Sequence, residues 1–124
     1  MGPAASAEFL CILAERAPAK IDQEHPIVYV ISDPHTPDRS SAIFGTGNDP
    51  SERLRLDLLS LVALGSDLLA VPCNTAHYFI DKFRLELPVA LVHIIEATIL
   101  AAKKLNLEGY WMLLAVIDDR NTKK

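Results

Sequence analysis

The chain has 124 residues, of which half are hydrophobic and 23% are charged, and this balance excludes a disordered protein and predicts a folded one. A net charge of −4 argues against nucleic acid as a partner, because nucleic-acid surfaces need clustered lysine and arginine. No apolar run approaches the roughly 18 residues of a membrane span and the first residues do not resemble a secretion signal, so we expect no membrane association and a cytoplasmic location.

The length predicts one domain with a real core. The two cysteines, Cys11 and Cys73, lie far apart in unlike contexts, which favours reduced thiols over a disulfide framework.

The first predicted helix covers residues 7–16, after a turn of small residues at 1–6. A broad apolar stripe follows the predicted helix, formed by Phe9, Leu10, Ile12, Leu13 and Ala17. Cys11 lies inside this helix, where a cysteine is usually a small buried hydrophobe, so we expect no chemistry from it.

A continuous β-branched run at 26–32 predicts a parallel strand that is covered on both faces. The loop that follows, residues 33–49, has no obvious element, and connections of this length are often functional. It contains Asp38 and Arg39, for which the alternative interpretation is a surface loop with both side chains in water.

A third segment begins with clear helix-start signals: Asp49 as a candidate cap, proline at the first helical position and a glutamate three residues after the cap. This helix should extend to about Leu64, with Gly65 as its stop. Beyond it the patterns predict, in order, a strand at 68–72, a helix at 75–86, a strand at 89–92, a helix at 94–105, a strand at 110–117 and a polar tail at 118–124.

Helices and strands alternate along the chain, which predicts parallel strands joined by right-handed crossovers. We therefore expect an α/β fold, an open parallel sheet with flanking helices, as a single domain over residues 1–117. Ligands collect at the carboxyl ends of the strands in such sheets. Residues 1–6, the loop with Arg39, and Cys73 to Thr75 should all lie at that edge.

Cys73 is the main candidate for chemistry. The apolar run ends at Pro72, so the cysteine lies at the start of a predicted helix. Free N–H groups and the helix dipole at that position favour the thiolate. A Pro-Cys pair alone is more often only packing. Cys73 and His77 are both common zinc ligands, but no third and fourth ligand is visible, so no metal site is predicted.

The segment from Val71 to His77, Val-Pro-Cys-Asn-Thr-Ala-His, resembles the first cysteine motif of the aspartate/glutamate racemase family. Residues 1–6 are similar to the loop after that family's first strand, and residues 32–40 are similar to its Pro-Asp-Arg loop. The resemblance covers residues 1 to about 105 with the segments in the expected order.

The resemblance implies an amino-acid substrate and catalysis by cysteine without pyridoxal phosphate, metal or other cofactor. One thiolate removes the weakly acidic α-proton and a thiol on the opposite face returns a proton. Cys73 would be one of this pair, Asn74 and Thr75 would hold the substrate carboxylate, and Arg39 would bind a side-chain carboxylate. By the same resemblance, Met1 and Gly2 would line the cleft. For His77 we favour a structural or orienting role, with proton transfer as the alternative, because it lies about one helical turn beyond the cysteine.

The sequence also departs from the family pattern. The family places a strand before the Met-Gly-Pro loop and continues into a second domain with the other cysteine, so we expect an incomplete copy with negligible racemase activity in isolation. An alternative is a non-catalytic remnant or interaction module whose exposed sheet edge is covered in a homodimer or by a partner. Another alternative is a relative of the dicarboxylate isomerases, such as those acting on maleate.

Overall fold

The structure is a computed structural model, which describes residues 2–105 and Glu108. Its elements alternate as the sequence predicts, with helices around a parallel sheet. The helices are α1 (Pro3–Arg16), α2 (Arg39–Ile43), α3 (Ser51–Ala63), α4 (Asn74–Ile80) and α5 (Ile94–Leu105); the strands are β1 (Leu68–Ala70) and β2 (Ala90–Val92); short 3₁₀ turns lie at Asp22–Glu24 and Arg84–Glu86.

The two strands pair in parallel, with Leu69 opposite Leu91. Helix α4 provides the crossover between them and packs against α2, α3 and α5. The predicted α/β fold with an open parallel sheet and flanking helices is confirmed.

The hydrophobic core lies between β1, α3 and α4. Apolar side chains at helical spacing on α3 meet the buried centre of β1 and the inner face of α4. The core is formed by Ile43, Leu54, Leu58, Leu69, Val71, Ala76, Phe79, Ile80 and Phe83. This packing fixes the turn between β1 and α4, which is where Cys73 lies.

Helix α3 begins and ends close to the predicted positions. Asp49 Oδ1 accepts the Ser51 N–H at 2.8 Å, and Gly65, just past the helix, has a φ of 99°, which favours glycine. The other oxygen of Asp49 lies 2.8 Å from Lys82 Nζ. The hydrogen bonds from Lys82 and Ser51 lower the pKa of Asp49 to about 2.

We expect Asp49→Ala to lower the free energy of unfolding by about 1 kcal/mol, the usual net contribution of one hydrogen bond, because the Ser51 N–H at the start of α3 loses its acceptor. Lys82→Ala should cost less, because the ion pair is exposed. The pKa of Asp49 is lower in the folded than in the unfolded chain, so its contribution is present above about pH 4 and is lost as the pH falls toward 2. Urea unfolding at several pH values measures both effects, and an unchanged midpoint in Asp49→Ala would contradict them.

The prediction of a strand at 26–32 is wrong for the structure described. The segment is neither helix nor strand, and none of its residues makes a backbone–backbone hydrogen bond within the described part of the chain. Val28 and Val30 are 44% and 49% exposed rather than covered. The β-branched run has the side chains of a buried strand, but no described strand lies beside it to complete the pairing.

Three smaller predictions also need correction. Residues 1–6 are not all turn, because α1 already begins at Pro3, a residue favoured in the first helical turn. The loop at 33–49 contains the short helix α2. The helix predicted at 75–86 ends at Ile80, and the turn after it lets Phe83 pack into the core.

The predicted strand at 110–117 and polar tail at 118–124 lie outside the described residues, so the predicted limits of the domain stay a prediction. Within residues 2–105 and Glu108, no helix combines the length and the apolar character that crossing a membrane requires.

Candidate functional site

Cys73 lies at the turn that joins β1 to α4. Its N–H donates to the Val71 carbonyl at 2.8 Å across Pro72, a tight turn that ends the strand and begins the helix. The residue has extended backbone angles and stands at the N-cap of α4, where its side chain makes no capping hydrogen bond. The thiol is partly exposed and is therefore accessible to a small molecule.

The two residues after Cys73 form the first turn of α4. The Thr75 hydroxyl lies 3.5 Å from Cys73 Sγ, within reach of a weak hydrogen bond to sulfur. Thr75 is half-buried and Asn74 is exposed, so both side chains reach the surface beside the thiol. The structure thus brings Cys73, Asn74 and Thr75 together, as the sequence predicts.

His77 supports this turn from inside the protein. Its side chain is completely buried, with Nδ1 2.9 Å from the Cys73 carbonyl oxygen and Nε2 3.4 Å from the Ile94 nitrogen. Since the Ile94 N–H must donate, Nε2 accepts and Nδ1 carries the proton that is donated to Cys73. Burial lowers the pKa of His77 and favours this neutral form.

Both ring nitrogens of His77 are hydrogen-bonded to backbone groups, so neither is free to exchange a proton with the Cys73 thiol. It ties the end of β1 to the start of α5, which supports the structural role that the sequence favoured.

Sequence reasoning missed the second histidine at this junction. His93 follows β2, is buried, and has its ring centroid 4.4 Å from that of His77. Its Nδ1 accepts the Glu96 N–H, and its Nε2 lies 3.2 Å from Asp81 Oδ1 without hydrogen-bond alignment. The available signal was its place directly after a strand, at the same sheet edge as Cys73.

Arg39 begins α2, which Asp38 caps by accepting the Ser41 N–H at 2.7 Å. The guanidinium bends back on its own loop, and Nη1 donates to the carbonyl oxygens of Thr36 and Pro37. Its Nε is buried and has no hydrogen-bond partner within the described residues. Arg39 is therefore fixed in place with a donor still to be satisfied, rather than freely solvated.

The loop with Arg39 lies close to the turn at Cys73. Helix α2 packs against α4, and Thr36 of the loop lines the same groove as Pro72 and as Ser6 of α1. The first turn of α1, the Arg39 loop and the cysteine turn therefore approach one end of β1. Gly2 is the exposed N-cap of α1, and Met1 lies outside the described residues.

Nothing within residues 2–105 and Glu108 forms a group of three or more histidine, cysteine, aspartate or glutamate residues that could hold a metal ion. What the described arrangement offers is a partly exposed thiol with hydroxyl and amide groups beside it and a guanidinium on the adjoining helix.

Comparison with known proteins shows the family of the chain. The family model for Asp/Glu/hydantoin racemases matches residues 1–121. The chain belongs to this racemase family. It is 30% identical over 106 residues to the broad specificity amino-acid racemase RacX of Bacillus subtilis, an alignment that covers 80% of this chain and 44% of that protein.

Among solved structures, the chain is similar to the aspartate racemase of Picrophilus torridus, with a TM-score of 0.77 and 30% sequence identity. That match covers 84% of this chain and 44% of the solved chain. The chain therefore spans less than half the length of both of these racemases, and the resemblance recognised from its motifs is confirmed.

Proposed function

We propose that this chain forms one half of the active site of a cofactor-independent racemase for acidic amino acids, with Cys73 as the group that exchanges the α-proton. The observation that carries the proposal is the position of Cys73 in a family member: partly exposed, at the strand-to-helix turn, 3.5 Å from the Thr75 hydroxyl. A thiolate there can remove an α-proton and return it from the same face.

In this proposal Asn74 and Thr75 bind the α-carboxylate through the donors of the first turn of α4. Arg39 binds the side-chain carboxylate, for which its buried Nε, without a hydrogen-bond partner among the described residues, is a ready donor. Gly2 and Met1 line the opening, by analogy with the family. Both described cysteines are free thiols, which is consistent with a cytoplasmic setting.

The second acid/base group of a racemase is not provided by Cys11. This cysteine is exposed on α1, a helix without a buried residue, rather than buried as the sequence predicts, whereas Cys73 packs against the core at the start of α4. A substrate held by this chain alone would thus meet one thiol on one face. We propose that the isolated chain exchanges the α-proton slowly and inverts it negligibly.

Incubation of the chain with D- and L-aspartate and glutamate in deuterated water tests the proposal. Proton NMR should show slow loss of the α-proton signal, while optical rotation stays nearly constant. Maleate, followed by its vinyl protons, tests the dicarboxylate-isomerase alternative in the same series. No exchange with any amino acid would contradict the proposed half-site.

Arg39→Lys should weaken binding of aspartate about tenfold, because lysine lacks the forked donor that matches a carboxylate. Alanine should bind equally to both proteins, since it has no side-chain carboxylate. NMR titration of the chain measures the two affinities, with Arg16→Lys on α1 as the matched control. If Arg39→Lys weakens the binding of alanine and aspartate equally, Arg39 does not bind the side-chain carboxylate.

The second candidate function is the interaction module. The segment at 26–32 favours it, since a β-branched run without backbone hydrogen bonds in the described structure is suited to pairing with another strand.

A further inference from the structure

Asp33 lies at the start of the loop that carries Arg39. Its side chain is 7% exposed, and its two carboxylate oxygens have different partners. Oδ1 accepts the His35 N–H at 2.8 Å, and Oδ2 accepts from Arg53 Nε at 2.5 Å. The His35 N–H and the Arg53 guanidinium lower the pKa of Asp33, so this carboxyl is charged at neutral pH.

Hydrogen bonds connect Asp33 to Arg39 through Thr36. The Thr36 hydroxyl donates to the Asp33 carbonyl oxygen at 3.1 Å, and Arg39 Nη1 donates to the Thr36 carbonyl oxygen at 3.4 Å. Arg39 Nη1 also donates to the Pro37 carbonyl oxygen at 3.1 Å. Because Thr36 is buried, water has little access to this link. The position of the guanidinium therefore depends on where the turn from Asp33 to Thr36 is held.

Arg53 holds that turn against α3. The helix is fixed by Leu54 and Leu58, which are both buried in the core. Arg53 Nε also lies 3.4 Å from Asp57, one helical turn further along. Of these two ion pairs, the one with Asp33 joins the loop to the helix, whereas the one with Asp57 stays within α3.

A guanidinium that is held in place before a ligand arrives binds that ligand more tightly. A long side chain loses rotamer freedom on binding, and this loss is smaller where the folded protein has already fixed the side chain. The loop carbonyls hold Nη1 of Arg39, while its buried Nε has no hydrogen-bond partner among the described residues. The loop thus fixes one part of the fork and leaves another for a carboxylate.

We propose that Asp33, held by Arg53, is a positioning residue for Arg39 and increases the selectivity of the site for acidic substrates. The inference rests on the proposed binding of a side-chain carboxylate by Arg39. Asp33 and Arg53 act through the loop rather than by contact with the substrate.

Asp33→Ala should weaken the binding of aspartate about two- to tenfold, which corresponds to the cost of ordering one long side chain. Binding of alanine, which has no side-chain carboxylate, should stay unchanged. The control, Asp57→Ala, removes the ion pair of Arg53 that stays within α3 and should bind both amino acids as the wild type does. NMR titration of the whole chain measures these affinities, and equal weakening for aspartate and alanine in Asp33→Ala would overturn the proposal.

The double variant Asp33→Ala with Arg39→Lys shows whether Asp33 acts through Arg39. It should bind aspartate no more weakly than Arg39→Lys alone, because the side chain that Asp33 positions is already gone. A further loss in the double variant would contradict a positioning role. If Arg39→Lys weakens aspartate binding and Asp33→Ala does not, this inference alone fails. If Arg39→Lys has no effect, the proposed role of Arg39 fails, and the selectivity inference fails with it.

A second measurement needs no ligand and leaves the core intact. Since Arg39 Nε is buried, its N–H should exchange slowly with water, and the NMR signal is assigned by its loss in Arg39→Lys. Arg53→Gln replaces a side chain that is 52% exposed and should make this exchange severalfold faster. The matched control, Arg55→Gln, breaks the exposed ion pair with Glu86 on the same helix and should leave the exchange rate unchanged. Equal exchange rates in Arg53→Gln and the wild type would overturn the positioning of Arg39 from α3.

Discussion

Cys73→Ser is expected to lower the rate of α-proton exchange by about 10²–10⁴-fold, the usual contribution of a positioned acid/base group. Serine is nearly the same size and fits the turn after Pro72, but its hydroxyl is far less acidic than a thiol and supplies no anionic base. The fold should survive, because the Cys73 backbone contacts to Val71 and His77 do not involve sulfur.

The matched control for this variant is Cys11→Ser. Cys11 is the other free thiol of the described chain and is exposed on α1. If any accessible thiol were sufficient for exchange, both variants would lose part of the rate. We expect Cys11→Ser to retain the wild-type rate in the NMR assay, and equal losses in the two variants would contradict a specific role for Cys73.

His77→Ala is expected to lower the free energy of unfolding by about 2–4 kcal/mol. The change removes a completely buried ring and leaves the Cys73 carbonyl and the Ile94 N–H without their partner. An unsatisfied buried polar group costs about 1–3 kcal/mol, and the cavity adds to this. Urea unfolding gives the difference directly.

His25→Ala is the control for this variant, since His25 is exposed and should change the free energy of unfolding by less than about 0.5 kcal/mol. A second consequence concerns the site: release of the Cys73 carbonyl should loosen the turn that presents the thiol. If His77→Ala also changes the free energy of unfolding by less than about 0.5 kcal/mol, the buried hydrogen bonds do not hold β1 to α5.

Because the pKa of His77 is lowered, the loss of stability in His77→Ala should depend on pH. Burial lowers the pKa below the ordinary value of 6.5, so the unfolded chain binds the proton more readily than the folded one. Wild-type stability should therefore fall as the pH drops below about 6.5. The stability difference between wild type and His77→Ala should shrink over the same range.

The elements that the sequence predicts best are those whose signals are local. Helix α3 begins two residues after Asp49, with Pro50 rather than Asp49 as its N-cap, and ends just before Gly65, while α5 has the predicted bounds. The turn at Cys73 follows from the break of an apolar run at Pro72. In each case the deciding residues lie within one helical turn of the boundary, so a single sequence contains the necessary information.

The features that the sequence does not predict depend on distant partners. A β-branched run such as 26–32 forms a strand only if another strand pairs with it, and pairing is not encoded in the run itself. The same holds for His77, whose Nε2 accepts from a residue 17 positions away, and for its contact with His93. The hydrogen bonds from Arg39 to the carbonyl oxygens of its own loop also depend on backbone geometry that composition does not reveal.

In the proposed half-site, Cys73 moves the α-proton of an acidic amino acid from one face without a partner on the other. Chiral chromatography of L-aspartate recovered after partial exchange in deuterated water shows whether this is so. We predict that the deuterated aspartate remains L, and that Cys73→Ser prevents labelling. Deuterated D-aspartate formed at the rate of label incorporation, and lost in Cys73→Ser, would show a complete racemase and contradict the account.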